Sequence, residues 1–250
     1  MTIVLETVSL EKRFDGTVAT NNVSLAIEQG ARCALIGPNG AGKTTLINLL
    51  TGVLRPTAGS ILLEGKDITH LKPHERVRLG LARTFQINQL FGEMTPIETV
   101  GLAVSERIGA GADWWRPVGR KAQVVDEMVD VLERFHLTDV MYERTATLPY
   151  GKQRLLEIAL AIACRPRVLL LDEPAAGVPE AERLELLRTI SGLPGDVTVL
   201  LIEHDMDLVF SFADRISVLV NGALLAEGTP EDMSHDPRVR AAYLGEEADA

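Results

Sequence analysis

One run of nine residues, GPNGAGKTT from Gly37 to Thr45, does most to limit what this chain can fold into. It lies between ARCALIG, which reads as a short buried strand, and a segment from Lys43 to Thr51 whose Leu46, Ile47, Leu49 and Leu50 have helical spacing. The run satisfies in full the pattern of a phosphate-binding loop, through Gly37, Pro38, Asn39, Gly40, Ala41, Gly42, Lys43, Thr44 and Thr45. Glycines let such a loop wrap a polyphosphate so that several N–H groups point inward, while Lys43 meets the outer phosphates and Thr44 can ligate Mg²⁺. A glycine-rich turn that merely opens a helix is the alternative, and the strand before and helix after outweigh it.

The rest of the chain is patterned to match. Short alternating stretches, IVLETVSL and VSLAIEQG, broken at Asp15-Gly16 and Gln29-Gly30, predict a small antiparallel sheet at the start. From about Glu98 to Arg134 the character is helical, with Val125, Met128, Val129 and Leu132 expected on one face. After Lys152, helix and buried strand alternate: RLLEIALAIAC, VLLLDEP, AERLELLRTI, VTVLLIEH and RISVLV. That alternation predicts a parallel sheet covered by helices. Asn221-Gly222 predicts a hairpin between RISVLV and ALLAEG. The tail after Thr229 reads as one short amphipathic helix and a frayed acidic end, EEADA.

Composition removes whole classes of function. With 46% hydrophobic and 24% charged residues in 250, the chain is an ordinary globular one, not a disordered or collagenous one. A net charge of -10, from 25 Lys plus Arg against 35 Asp plus Glu, repels phosphate backbones, so nucleic acid is set aside as a main partner. Glu6 interrupts the apolar start, and no run of 18 apolar residues occurs, so neither a signal peptide nor a membrane-spanning helix is expected. Cys33 and Cys164 are far apart in apolar contexts and read as reduced, buried thiols.

Two further stretches carry chemistry. VLLLDEP places Asp172 at the end of a buried strand, where a carboxylate faces the crevice and can hold a Mg²⁺ shell. Glu173 follows at once, a second carboxylate able to orient and deprotonate water, which favours hydrolysis over binding alone. VTVLLIEH ends on His204, which alone reads as readily as a structural histidine.

Taken together these motifs resemble the ATP-binding cassette ATPases of ABC transporters over nearly the whole chain. The resemblance implies an α/β fold, a P-loop NTPase (RecA-like) core with an N-terminal antiparallel β subdomain and an inserted α-helical subdomain. Residues 1–86 and 151–250 would form the core and 87–150 the insertion. It implies ATP and Mg²⁺ as ligands, Lys43, Glu173 and His204 as catalytic residues, and Thr44, Gln86 and Asp172 as metal ligands. Phe14 is similar to the aromatic that stacks on adenine, with a core-packed strand-end residue as the other reading. LPYGKQR resembles the family signature, usually LSGGQ, through Leu148, Tyr150, Gly151, Lys152 and Gln153, residues that would meet a partner subunit's nucleotide. Pro149 replaces the signature serine and supplies neither hydroxyl nor N–H. Pro179 stands where the loop after Glu173 usually has an aspartate or asparagine.

Both departures fall on groups offered to a partner, so the expectation is a heterodimer with a second ATP-binding subunit, a homodimer remaining the alternative. Transmembrane permeases would be direct partners and a substrate-binding protein an indirect one, at the cytoplasmic face of the inner membrane. LARTFQINQLFGEMTPIETV, DEPAAG, IEHDMDLV and AEGTPEDMSHDPRVRAAYLG resemble the ATP-binding subunits of branched-chain amino-acid uptake systems, ahead of urea, aromatic-acid and lipopolysaccharide relatives. Trp114 and Trp115 are candidates to touch a membrane subunit or to tuck into the helical subdomain. A soluble cassette acting on DNA or ribosomes would show tandem cassettes or a basic face, and a P-loop kinase or GTPase would show an acceptor lid or an NKxD stretch. None of these features occurs in the sequence.

Overall fold

The computed structural model describes residues 2–84, 90–109 and 122–247. These fall into two compact units, one of residues Met1–Arg83, Arg167–Glu173 and Pro194–Ala250, the other of Thr84–Pro166 and Pro174–Leu193.

In the first unit, β1 (Ile3–Phe14) and β2 (Thr17–Glu28) form an antiparallel hairpin closed by Asp15 and Gly16, whose φ values of 37° and 101° suit a two-residue turn. β3 (Arg32–Ile36) leads into the glycine loop and α1 (Lys43–Leu50). β4 (Ala58–Leu63), β5 (Lys66–Asp67), α2 (Pro73–Arg78) and β6 (Leu81–Arg83) follow. The same unit regains the chain at β7 (Val168–Asp172) and β8 (Thr198–Ile202), then α7 (Met206–Phe212), β9 (Arg215–Val220), β10 (Ala223–Gly228), α8 (Pro230–His235) and α9 (Pro237–Glu247).

Two sheets result, one ordered β2-β1-β4-β5 and antiparallel, the other ordered β10-β9-β3-β8-β7-β6. In the second, β9, β3, β8, β7 and β6 run parallel and only β10 is antiparallel to its neighbour. VLLLD and TVLLI are buried at every position, the signature of central parallel strands covered on both faces. Leu46, Ile47, Leu49 and Leu50 of α1 join Leu35, Leu170, Leu200 and Ile202 in one core, so the helix after the glycine loop is seated by its apolar face.

Its C-terminal end is seated by a charge. Arg76 of α2 is 1% exposed and donates to the carbonyls of Leu49 at 2.7 Å and Leu50 at 2.6 Å, at the negative end of α1. Burial pushes this guanidinium down to about 10, so it stays charged at neutral pH.

The second unit holds α3 (Pro96–Arg107), α4 (Ala122–Arg134), α5 (Tyr150–Ala163) and α6 (Glu180–Ser191). Arg107 and Arg165 converge on Glu127 at 2.6 Å and 2.8 Å, tying α3 and the end of α5 to α4.

Three expectations need revision. The buried side of α4 runs through Val124, Val131 and Leu132, while Val125, Met128 and Val129 are half-buried, so the apolar face is rotated by about a residue. The tail forms two helices, α8 and α9, because Pro237 restarts the helix after Asp236, and Glu246 and Glu247 belong to α9 rather than to a frayed end. α5 and α6 lie in the same unit as α3 and α4, with α5 packed on both of these and α6 on α5. Cys33 is buried and its thiol is pushed up to about 12 by desolvation, whereas Cys164 is only half-buried; both are free.

Candidate functional site

The glycine loop leaves β3 at its C-terminal end, between the parallel neighbours β8 and β9, where strand ends of an α/β sheet open into a crevice. Two glycines there admit no other residue. Gly37 has φ 153° and a Cβ on it would lie 2.1 Å from the Leu219 carbonyl oxygen; Gly42 has φ 98° and a Cβ would lie 2.5 Å from that of Ala19. Gly42 is also the N-cap of α1, which carries no side-chain cap and no acidic residue in its first turn. The first-turn N–H groups of a helix have no partner within it, so this end offers donors and partial positive charge to an anion. The Lys43 ammonium adds a full charge, donating to the carbonyls of Gly37 and, at 3.0 Å, of Pro38.

Residues 39–45 form one wall of a cleft of about 470 Å³. Thr17, Val18 and Ala19 of β2 and the Asn221-Gly222 turn form the others, and Glu173 reaches it. The turn is tied in by Gly222 N–H to the Ala41 carbonyl at 2.9 Å and by Asn21 N–H to the Gly222 carbonyl at 2.7 Å. Sequence reading took Asn221-Gly222 only as a hairpin signal and passed over residues 17–19, since neither carries a chemical motif.

Asp172, 1% exposed, ends β7 and is ion-paired through Oδ2 with Arg83 at 2.7 Å. Arg83 was also passed over, because in RTFQ only the glutamine had a role to suggest it. Glu173 is held at φ 46°, with its N–H donated to Ile202 at 2.9 Å. For a side-chain-bearing residue that conformation costs about 1–3 kcal/mol, a strain that clusters at sites of function.

His204 follows β8 with its side chain 69% exposed, Nδ1 lying 3.7 Å from Oε2 of the buried Glu203, which also accepts the His204 N–H at 3.2 Å. Phe14 sits at the tip of the β1–β2 hairpin, half-exposed, with the Lys12 ammonium 4.8 Å above its ring. Among the described residues, Phe14, Asp172 and His204 do not form the cleft's walls. Gln86 lies outside the described residues, as do Trp114 and Trp115.

In the second unit, Pro149 is the N-cap of α5 and Pro179 the N-cap of α6, neither with a side-chain cap bond. Gly151 N–H donates to Glu182 Oε2 of α6 at 2.7 Å. Leu148 is buried, and its carbonyl accepts from Gln153 Nε2 at 2.9 Å. Lys152 pairs with Asp139 and Glu185, each at 3.6 Å, and the Arg154 guanidinium lies 5.9 Å from the Tyr150 ring.

Known proteins settle the family. The profile described as ABC transporter matches residues 20–176, more than half of the chain. The chain belongs to the ABC transporter ATP-binding cassettes. A second profile, described as branched-chain amino acid ATP-binding cassette transporter, matches residues 223–249 of the cassette. The cassette is 44% identical over 250 residues to the high-affinity branched-chain amino acid transport ATP-binding protein BraF of Pseudomonas aeruginosa, covering 97% of this chain and 98% of that one. It is 43% identical over 244 residues to LivG of Escherichia coli, covering 95% and 96%. Among solved structures, an ATP-binding cassette of an ABC transporter in its ADP conformation matches with a TM-score of 0.84 at 30% identity, covering 98% of this chain and 100% of that chain.

Magnesium fits the residues present. Thr44 and Asp172 offer hard oxygen donors, and among the described residues no group of three or more His, Cys, Asp or Glu would hold a metal ion unaided. A cation here would be completed by phosphate oxygens, as magnesium usually is.

Proposed function

We propose that this cassette is the ATP-hydrolysing subunit of an importer for branched-chain amino acids, bound to membrane-spanning permeases at the cytoplasmic face. The observation that carries the nucleotide chemistry is the cleft in which the uncapped end of α1, Lys43 and Glu173 meet. The likeness to BraF and LivG over almost the whole chain supports the solute class. Among the described residues no helix is long and apolar enough to cross a membrane.

On this reading the N–H groups of the loop and Lys43 bind and neutralise the outer phosphates. Phosphoryl transfer depends mainly on such positioning and charge stabilisation. Glu173, which lines the cleft, orients the attacking water and takes its proton. His204 serves the same end of the triphosphate, and Phe14, beside Thr17 at the cleft, stacks on the adenine. A magnesium ion held by Thr44, Gln86 and Asp172 supplies further neutralisation of the phosphates when bound.

The partner is a second, different cassette. One solved relative at 22% identity, with a TM-score of 0.74, is a dimer bound to ADP and phosphate, a likeness of fold alone. In this chain the groups that would serve its own nucleotide are intact, while the signature lacks its serine and Glu182 occupies the Gly151 N–H. A partner with an intact signature would complete this chain's own site, whereas two copies would place the altered signature at both.

Calorimetry of the purified chain should detect ATP binding that magnesium strengthens; no such binding overturns the ATPase reading. Co-purification of the chain with its permeases, followed by reconstitution into vesicles, should give ATP-dependent uptake of leucine, isoleucine or valine. Uptake of none of the three overturns the solute class while leaving the ATPase standing.

A further inference from the structure

Arg83 is the last residue of β6, and its guanidinium bridges two other elements, β7 and α1. One nitrogen donates to Asp172 Oδ2 at 2.7 Å and another to Asn48 Oδ1, on α1, also at 2.7 Å. The pair is almost withdrawn from water, with 11% of the Arg83 side chain and 2% of the Asp172 side chain exposed. A single fork therefore joins the helix that begins at Lys43 to the carboxylate at the end of β7.

Stabilising the fold is a poor explanation for such a pair. Desolvating two charges offsets most of their attraction, and apolar residues of the same volume often do as well or better. What an ion pair does and an apolar contact cannot is fix the direction of a charged group. A carboxylate swings freely about its terminal torsion unless held, and the rigid, planar guanidinium holds it at a defined angle. Lysine would offer a point charge on a flexible stem, without a second arm to reach Asn48.

We propose that Arg83 is a positioning residue for the magnesium-dependent step: it grips Asp172 through Oδ2, registers that grip on Asn48 of α1, and so leaves Oδ1 to bind the cation directly or through water. The proposal rests on the ATPase reading above and adds a residue to it. Ligating carboxylates are themselves oriented by hydrogen bonds, and loss of such a supporting group typically weakens metal binding by about 10- to 100-fold.

The test is the affinity of the full chain for ATP, measured by calorimetry with magnesium and again with the metal chelated. Arg83→Gln should keep the metal-free affinity within about twofold and lose about tenfold of the magnesium-dependent gain. Asn48→Ala keeps the ion pair, removes only its second anchor, and should lose a few-fold in the same sense. A purely structural role would weaken both affinities together or neither, and thermal melting shows which variants fold. An unchanged magnesium-dependent gain in folded Arg83→Gln overturns the proposal; if that variant does not fold, an unchanged gain in Asn48→Ala does so. A wild-type chain with no magnesium-dependent gain would instead remove the ATPase reading itself.

Discussion

Two helices of this protein begin at motifs associated with nucleotide, and they treat their first turn in opposite ways. α1 starts at Gly42 without a side-chain cap, with no acidic residue in its first turn, and faces a cleft of about 470 Å³. α5 starts at Pro149, also without a side-chain cap from its own N-cap residue, but Glu182 reaches across from α6 to accept the Gly151 N–H at 2.7 Å. Both ends face the same physical demand, donors that the helix cannot satisfy internally. At α1 neither the N-cap side chain nor an acidic residue of the first turn meets that demand, and at α5 a carboxylate from α6 meets one donor, the Gly151 N–H. A motif written in glycines therefore announces donors without saying whether they are free to use.

The largest effect should come at the open end. Glu173→Gln is expected to retain magnesium-dependent ATP binding, to lower turnover by about 10²- to 10⁴-fold, and to prolong the nucleotide-bound dimer. Single-turnover hydrolysis alongside binding measures both; turnover at the wild-type rate would take Glu173 out of the role of base and leave the cleft a binding site only. A smaller effect should come from opening the closed end. Combining Pro149→Ser with Glu182→Gln supplies a hydroxyl and removes the charge on the group that accepts the Gly151 N–H. ATP turnover of the chain alone should then rise about tenfold, equivalent to roughly 1.4 kcal/mol of transition-state stabilisation. No rise in the double variant would mean that the altered signature is harmless and that the contrast between the two ends has no catalytic meaning.

How much of this was legible beforehand depends on how far apart in sequence the interacting groups lie. Helix α1, strands β7, β8 and β9 and both hairpins could be read from local periodicity and turn residues, because each is encoded in one contiguous stretch of chain. β5 and β6, at two and three residues, and the six-residue α2 are too short to show a period, and they exist because neighbours complete them. The face of α4 was misplaced because Val124, Val125, Val129 and Val131 are chemically alike, and only packing against α3 and α5 decides which are covered. The site divides in the same way. The phosphate loop is contiguous and legible, while Arg83 and Asp172 are 89 positions apart and Gly151 and Glu182 are 31 apart. No local pattern announces such pairs, since any arginine or glutamate on a surface helix or strand end looks the same until the fold chooses its partner.

The smallest effect concerns a helix start with a purely structural cap, and it serves as the reference for the other two. Thr95 opens α3 with a reciprocal cap: its Oγ1 accepts the Glu98 N–H at 3.4 Å, and Glu98 Oε2 accepts the Thr95 N–H at 2.9 Å and its hydroxyl at 3.0 Å. The backbone bond first, and then the hydroxyl bond, hold the Glu98 carboxyl below its ordinary range. A carboxyl depressed in the folded state stabilises it above the unfolded value, and that contribution is lost as pH falls through the folded value. Glu98→Gln should therefore lower the melting temperature slightly at pH 7, and the gap to wild type should close as the pH is taken below the normal glutamate range. The α5 end should differ. There Glu182 is an acceptor on loan from another helix, so Glu182→Gln should alter dimer formation in the presence of ATP as well as melting, whereas Glu98→Gln should leave ATP-dependent dimer formation untouched. If both substitutions change only melting, Glu182 is an ordinary cap like Glu98, and the closed end is structural rather than a feature of the nucleotide site.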